Sequence, residues 1–360
     1  MKIIKILISQ AIPGMIVADD VYTKDHHLII AKDTALSDRI ITRLEFYSIS
    51  DLYVMSEENL QEQETQFIET TYYEKVLKSE AFQRFNKAYM STVSEFKSSL
   101  DRIASGQKEI DTKQLLSYMN NLLYQSDSNI ALFTMLHCMR EYDDTTYIHS
   151  LNVSLICNII GKWLNYTPED LEVITLCGLL HDVGKLMIPS DIIMKPAKLS
   201  DEEFTTIKTH TLREYNILKD KNIDLRIKYA ALMHHERCDG SGYPYGFTTN
   251  QIDSFSRLVA IADVYDAMTC ARVYRGPLCP FEVISIFEIE GLTKYDPKYI
   301  MTFLEGVVQT YINNNVILNN KQEGEIIMIN NFELSRPIVK VGNQFVDLAK
   351  HRDLYIESLI

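Results

Sequence analysis

Apolar and polar positions divide the chain into four stretches. Residues 1–56 mix short β-like runs, "HLIIA" and "DLYVM", with a helical piece, "SDRIITRLEFYS", and a turn at "IPGM". This pattern predicts a small α+β module. Residues 57–110 open polar, with "SEENLQEQETQ", and then carry a stripe of Phe82, Phe85, Tyr89, Val93, Phe96, Leu100 and Ile103. Steps of three and four mark one face of a long amphipathic helix, which makes this stretch a helical linker. Its apolar face is read as core or inter-domain packing, with a dimerising helical pair as the alternative. Residues 111–312 are helical almost throughout. Residues 313–360, with "EGEIIMINN" and "RPIVKVGNQFVDL", read as strands separated by turns, a small β-rich tail.

The helical stretch is well punctuated. "TPED" at Thr167–Asp170 offers an N-cap, a proline at the first helical position and acids in the first turn. "SDEE" at Ser200–Glu203 is a capping box. In "YDP", Asp296 caps a helix that begins at Pro297. The fold class is therefore mainly α, a helical bundle flanked by the α+β module and the β-rich tail.

Composition narrows the function. The chain has 360 residues and a formal net charge of -13, which argues against nucleic acid held on a basic surface and against a polybasic membrane contact. No apolar run approaches the roughly 18 residues of a membrane span. The opening "IIKILI" is too short for a secretory core. The six cysteines form no C-x-x-C pair, which suits a reduced, cytoplasmic setting. Asp19-Asp20 follows an apolar run as in a phospho-receiver, but the module is too short and no later strand ends in an acceptor aspartate. That reading is set aside.

Five of the nine histidines, His149, His181, His210, His234 and His235, fall between 149 and 235, each on a helix or at its end. His149 opens "HSLNVSLICNII", and His181-Asp182 close "LEVITLCGLLHD" before Gly184. His210 shares the apolar face of Ile207, and His234-His235 end "RIKYAALMHH". Neighbours on a helix point about 100° apart, so the last two can serve one site only because the helix stops there. Asp263 lies in the apolar helix "RLVAIADVYDAM". A carboxylate on such a face is costly unless it is paired or binds a cation. Inward imidazoles and carboxylates from several helices make a metal site in a bundle core. The nitrogen and oxygen donors suit iron, manganese, nickel or zinc, and an acid able to bridge points to two ions. Asp266, one turn after Asp263, is a candidate to orient a ligand. His26, His27, His137 and His351 read as surface or structural residues, and Cys238 as passive.

The segments "GLLHDVGKLMIP", "HHERCDGSGYPYG" and "AIADVYDAMTCARVYR", in this order, resemble the HD-GYP phosphodiesterases of the HD superfamily, with the triplet at Gly242, Tyr243 and Pro244. The likeness covers about 111–312. It implies an HD-type helical domain holding two or three divalent ions, iron or manganese, that hydrolyses cyclic di-GMP to pGpG and on to GMP. Some members act on cyclic GMP-AMP. Carried onto this chain, one ion takes His149, His181, Asp182 and Asp263, and the other takes Asp182, His210, His234 and His235. Asp182 bridges them. Lys185 lies over the site as a phosphate contact and Arg272 and Arg275 grip the ligand's phosphates. The loop with Tyr243 shapes the entrance and is linked in the family to GGDEF-domain cyclases.

The departures are specific. Thr145 stands where trinuclear members carry a glutamate, so a binuclear centre is expected, with Asp143 and Asp144 as nearby acids. Thr211 and Glu214 replace the usual proline and glycine after the third histidine, and Val273 replaces a proline. Glu214 is expected to crowd the phosphate path. Besides the phosphodiesterase, two other readings stand: an inactive cyclic-dinucleotide receptor, and an HD phosphohydrolase of another nucleotide such as cyclic GMP-AMP. A homodimer is a further expectation.

Overall fold

The computed structural model describes all residues except 1, 9–10, 23–27, 38–39, 42–43, 45–48, 50, 57–75, 107–108, 127, 140–145, 194–199 and 270–277. Thr145, Asp143, Asp144, His26, His27, Arg272, Val273 and Arg275 therefore lie outside the described residues.

At the amino end, β1 (Lys2–Leu7), β2 (Ile16–Val17) and β5 (Asp51–Ser56) form an antiparallel sheet in the order β1-β5-β2. β3 (Val21–Tyr22) and β4 (Leu28–Ile30) pair beside it. Ile6, Val17, Leu52 and Val54 bury one face with Ile41 and Leu44 into a core of its own. Asp20 takes the backbone N–H of Lys32 at 2.6 Å and the hydroxyl of Tyr22 at 3.1 Å. It ties the β3–β4 pair together.

Helix α1 (Glu80–Ala104) begins where Ser79 Oγ accepts the Phe82 N–H at 3.1 Å, supplying one of the first-turn donors with a partner. Its stripe packs inward: Phe82, Phe85, Tyr89, Phe96, Leu100 and Ile103 are all buried in the same core as the bundle. The face that could have paired with a second copy is thus covered by the chain itself. The Tyr89 hydroxyl donates to Asn152 Oδ1 at 2.5 Å, fastening α1 to the helix that carries His149.

The bundle follows with α2 (Thr112–Leu123), α3 (Asn129–Cys138), α4 (Thr146–Trp163) and α5 (Pro168–Leu180). After a 3-10 turn at Val183–Met187 come α6 (Ser190–Ile193), α7 (Asp201–Lys208), α8 (His210–Leu218), α9 (Leu225–Met233) and α10 (Ser254–Thr269). α4 and α5 are joined by polar bonds within the core: Ser154 Oγ donates to Thr175 O at 2.7 Å and Asn158 Nδ2 to Thr175 Oγ1 at 2.9 Å. α11 (Pro280–Ile286), a π turn at Phe287–Gly291, α12 (Leu292–Lys294) and α13 (Pro297–Gln309) close the bundle. The expected caps all form: Thr167 holds Asp170 N, Asp296 holds Lys298 N and Tyr299 N, and Ser200 with Glu203 makes the reciprocal capping box.

The tail is a five-stranded antiparallel sheet of β6 (Asn315–Leu318), β7 (Glu323–Met328), β8 (Ile338–Val341), β9 (Gln344–Asp347) and β10 (Ile356–Leu359). Its order is β10-β6-β7-β8-β9. Val316, Leu318, Ile326 and Val339 add its inner face to the bundle core. The fold is mainly α with small β parts at both ends. Among the described residues, no helix is long and apolar enough to cross a membrane.

Candidate metal centre

The sequence-predicted residues converge where four helix ends meet. His149 sits in the first turn of α4, His181 at the carboxyl end of α5, His210 at the start of α8 and His234 at the carboxyl end of α9. Helix ends are suited to this, because the chain can change direction and aim consecutive side chains at one point. His181, Asp182, His210 and His234 are fully buried, and His149 and Asp263 nearly so.

Two groups of donor atoms lie within 4.8 Å of one another: Asp182, His210, His234 and His235 in one, and His149, His181 and Asp182 in the other. Asp182 belongs to both. Its Oδ2 is 3.5 Å from His149 Nε2 and 3.4 Å from His181 Nε2. Its Oδ1 is 3.5 Å from His210 Nε2 and 3.8 Å from His234 Nε2. The two oxygens therefore face different histidine pairs. Asp263 adds Oδ1 at 3.0 Å from His149 Nε2 and 3.9 Å from His181 Nε2, and Oδ2 at 3.7 Å from His235 Nδ1.

The outer ring nitrogens are fixed by the backbone. Nδ1 of His181 donates to Gly178 O at 2.8 Å, that of His210 to Ile207 O at 2.7 Å, and that of His234 to Ala230 O at 3.0 Å. Each bond puts the proton on Nδ1 and turns the Nε2 lone pair inward, as a ligand requires. His149 is held by a carboxylate instead: its Nδ1 donates to Asp266 Oδ2 at 2.8 Å.

The donor set fits divalent cations. His181 Nε2 and Asp182 Oδ1 are buried without a hydrogen-bond partner. Buried polar atoms of this kind are expensive to leave unmatched, and bound cations would satisfy both. Burial alone would push the Asp182 carboxyl up, but neighbouring positive charge, the Lys185 ammonium foremost, outweighs it and holds it well below the usual range. Burial lowers His181, His234 and His235, and brings His210 down to about 4, so these rings are neutral donors. His149 goes the other way. Burial lowers it, yet its bonds to Asp263 and Asp266 prevail and raise it to about 10. Protonated, the His149 ring donates from Nδ1 to Asp266 Oδ2 and from Nε2 to Asp263 Oδ1.

Lys185, in the 3-10 turn after Asp182, places Nζ 2.6 Å from Asp182 Oδ2 and leaves part of its side chain exposed. Glu214 does not reach over the site. It is fully buried behind His234, with Oε1 3.6 Å from the outer nitrogen Nδ1 and Oε2 accepting the Gly184 N–H at 3.2 Å. Burial, with Asp182 nearby, pushes its carboxyl well up. The expected crowding of the phosphate path is replaced by a place in the wall that supports the Asp182–Lys185 turn.

The glycine-rich loop folds against the paired histidines. A Cβ on Gly242 would come within 2.4 Å of Glu236 Cα and 2.5 Å of His235 O, so only glycine lets the loop lie this close. Tyr243 stacks on His235, ring centroids 4.7 Å apart at 27°. Glu236, buried, takes the N–H groups of Tyr245 at 2.8 Å and Phe247 at 3.0 Å and clamps the far side of the loop. Arg237 donates to His234 O at 3.2 Å and lays its guanidinium over the Tyr295 ring. Sequence reasoning did not single out Glu236 or Arg237. Their partners are backbone groups and a ring brought in by the turn, which spacing does not reveal. His137, expected at the surface or in a structural role, is buried and bonded to Tyr265 Oη at 2.9 Å.

A comparison with known families matches residues 113–299 to the HD domain, and the chain belongs to that family. The motif-based recognition is borne out. The chain is 32% identical to a cyclic di-GMP phosphodiesterase of Pseudomonas aeruginosa over 59% of its own length and 51% of that protein's. It is 40% identical to 3'3'-cGAMP-specific phosphodiesterase 1 of Vibrio cholerae over 40% of this chain and 34% of that one. A cyclic di-GMP phosphodiesterase of Thermotoga maritima is 35% identical over 50% of each chain. The chain spans about half the length, or less, of these curated relatives.

Proposed function

We propose that this chain is a metal-dependent phosphodiesterase that hydrolyses cyclic di-GMP to pGpG and GMP in the cytoplasm. The observation that carries the reading is the pair of buried donor groups joined through the two oxygens of Asp182. In this reading residues 111–312 form the catalytic domain, with 1–56 and 57–110 as the module and linker that feed it.

His149, His181, Asp182 and Asp263 would hold one divalent ion, and Asp182, His210, His234 and His235 the other, with iron or manganese as the metals the resemblance implies. When bound, the two cations supply a nucleophile at neutral pH and neutralise charge on the phosphoryl oxygens. The chain's own groups do the rest. The carbonyls of Gly178, Ile207 and Ala230 and the carboxylate of Asp266 keep the ligand rings pre-set. Lys185, already at Asp182, brings a compact positive charge to a phosphate oxygen. Tyr243 walls the entrance beside His235. Arg272 and Arg275 are proposed as further phosphate donors on the resemblance alone, as is contact of the loop with GGDEF-domain cyclases.

Protein reconstituted with iron or manganese should convert cyclic di-GMP to pGpG or GMP, and Asp182→Ala should abolish this. Inertness of metal-loaded protein on all cyclic dinucleotides would overturn the reading. A second substrate is favoured by the 40% identity to the Vibrio cholerae cGAMP-specific enzyme. Competition between cyclic GMP-AMP and cyclic di-GMP ranks the two.

A further inference from the structure

Glu214 lies one turn after His210 on α8 and is fully buried. Its two oxygens meet two other segments that carry candidate ligands. Oε2 accepts the N–H of Gly184, two residues after Asp182, at 3.2 Å, and Oε1 lies 3.6 Å from Nδ1 of His234. The segments that bring Asp182, His210 and His234 into one donor group therefore converge on this side chain. The remaining ligands of the other ion, His149, His181 and Asp263, come from α4, the end of α5 and α10.

The approach of the turn to α8 is close. A Cβ on Gly184 would come within 2.1 Å of His210 O and 2.9 Å of Glu214 N, so the turn lies against the first turn of α8 only because residue 184 is glycine. Oε1 of Glu214 is buried without a hydrogen-bond partner. A carboxyl with one oxygen unmatched is costly in a core, and an apolar side chain would fill the same wall at less cost. Packing alone does not account for Glu214. We infer that Glu214 is a positioning residue for the ion of the Asp182, His210, His234 and His235 group, fixing the Asp182–Lys185 turn against α8 and α9 so that these donors close on one cation. The inference rests on the binuclear reading. A merely structural role would lower the stability of the fold and weaken both ions alike or neither.

Metal binding separates the two roles. Full-length protein is titrated with manganese(II) by calorimetry, and the step that His234→Ala weakens more marks the ion in question. Glu214→Ala should weaken that step about tenfold or more, the scale of a lost outer partner of a ligand, and the other step by a smaller factor. Glu214→Gln, which keeps an acceptor for the Gly184 N–H, should restore most of the loss. Equal effects on both steps, no effect on the marked step, or no recovery with glutamine overturns the inference while two ions in wild type leave the binuclear reading standing. Fewer than two ions in wild type ends that reading and the inference with it. If Glu214→Ala loses its helical circular dichroism, Glu214→Met, which fills the space without an oxygen acceptor, takes its place. If neither folds, hydrogen exchange at Gly184 of wild type decides. Slower exchange on loading the marked ion supports the inference, and an unchanged rate overturns it.

Discussion

Asp266 Oδ2 accepts the Nδ1–H of His149 at 2.8 Å, while the opposite nitrogen of the same ring lies 3.0 Å from Asp263 Oδ1. One carboxylate therefore orients the ring that a second carboxylate shares. Losing an outer partner of a ligating histidine typically costs 10- to 100-fold in metal affinity or activity. Asp266→Ala is expected to fall in that range for both, with the helical circular dichroism retained. Chelator-competition titration and turnover of the loaded protein measure the two effects.

Proton release on metal loading follows from the same ring. In the metal-free protein His149 is held protonated, at about 10, by Asp263 and Asp266 against the effect of burial. Ligation through Nε2 requires that proton to leave. Calorimetric loading at pH 7.5 in Tris and in HEPES should give heats that differ by the buffers' ionisation enthalpies, and His149→Gln should reduce the difference by about one proton.

The neutral histidines predict a pH dependence of the opposite sense. Burial lowers His210 from 6.5 to about 4 in the folded chain. Between those values the unfolded chain binds a proton that the folded chain refuses. Stability from this group is therefore full above 6.5 and lost as pH falls toward 4, by on the order of 3 kcal/mol. His149 and Glu214 titrate with raised values and act in the other direction. The comparison is therefore made between metal-free wild type and His210→Gln. Denaturant unfolding from pH 7 to 4.5 should show the steeper loss in wild type.

Glu236 is expected to govern the loop rather than the metals. Glu236→Ala strips the Tyr245 and Phe247 N–H groups of their acceptor, at a cost of roughly 2 kcal/mol or more. Hydrogen exchange at those two amides should quicken while the metal content stays that of wild type.

The metal-site residues were legible in the sequence because each lies at a helix end or on an apolar helix face, where a polar side chain stands out against its neighbours. The α1 stripe and the caps at Ser200, Thr167 and Asp296 were readable for the same reason: they depend on local spacing. Glu236 and Arg237 act through backbone groups and a ring that only the folded loop brings near, and no periodicity marks them. Glu214 was visible as an odd residue, but its direction was not. The contact with Gly184 comes from a turn 30 residues away in the chain. In the tail, the runs that became β7 to β9 were readable. β6 and β10 pair at the far edge of the sheet, between residues about 40 apart, and lacked a turn signal linking them.

In the proposed mechanism Asp182 joins the two cation sites. Metal analysis of anaerobically loaded protein, wild type against Asp182→Ala, tests this most directly. Two ions per chain in wild type, and fewer than two with hydrolysis lost in the variant, is the expected result. A variant that keeps both ions and hydrolyses cyclic di-GMP at the wild-type rate would contradict it.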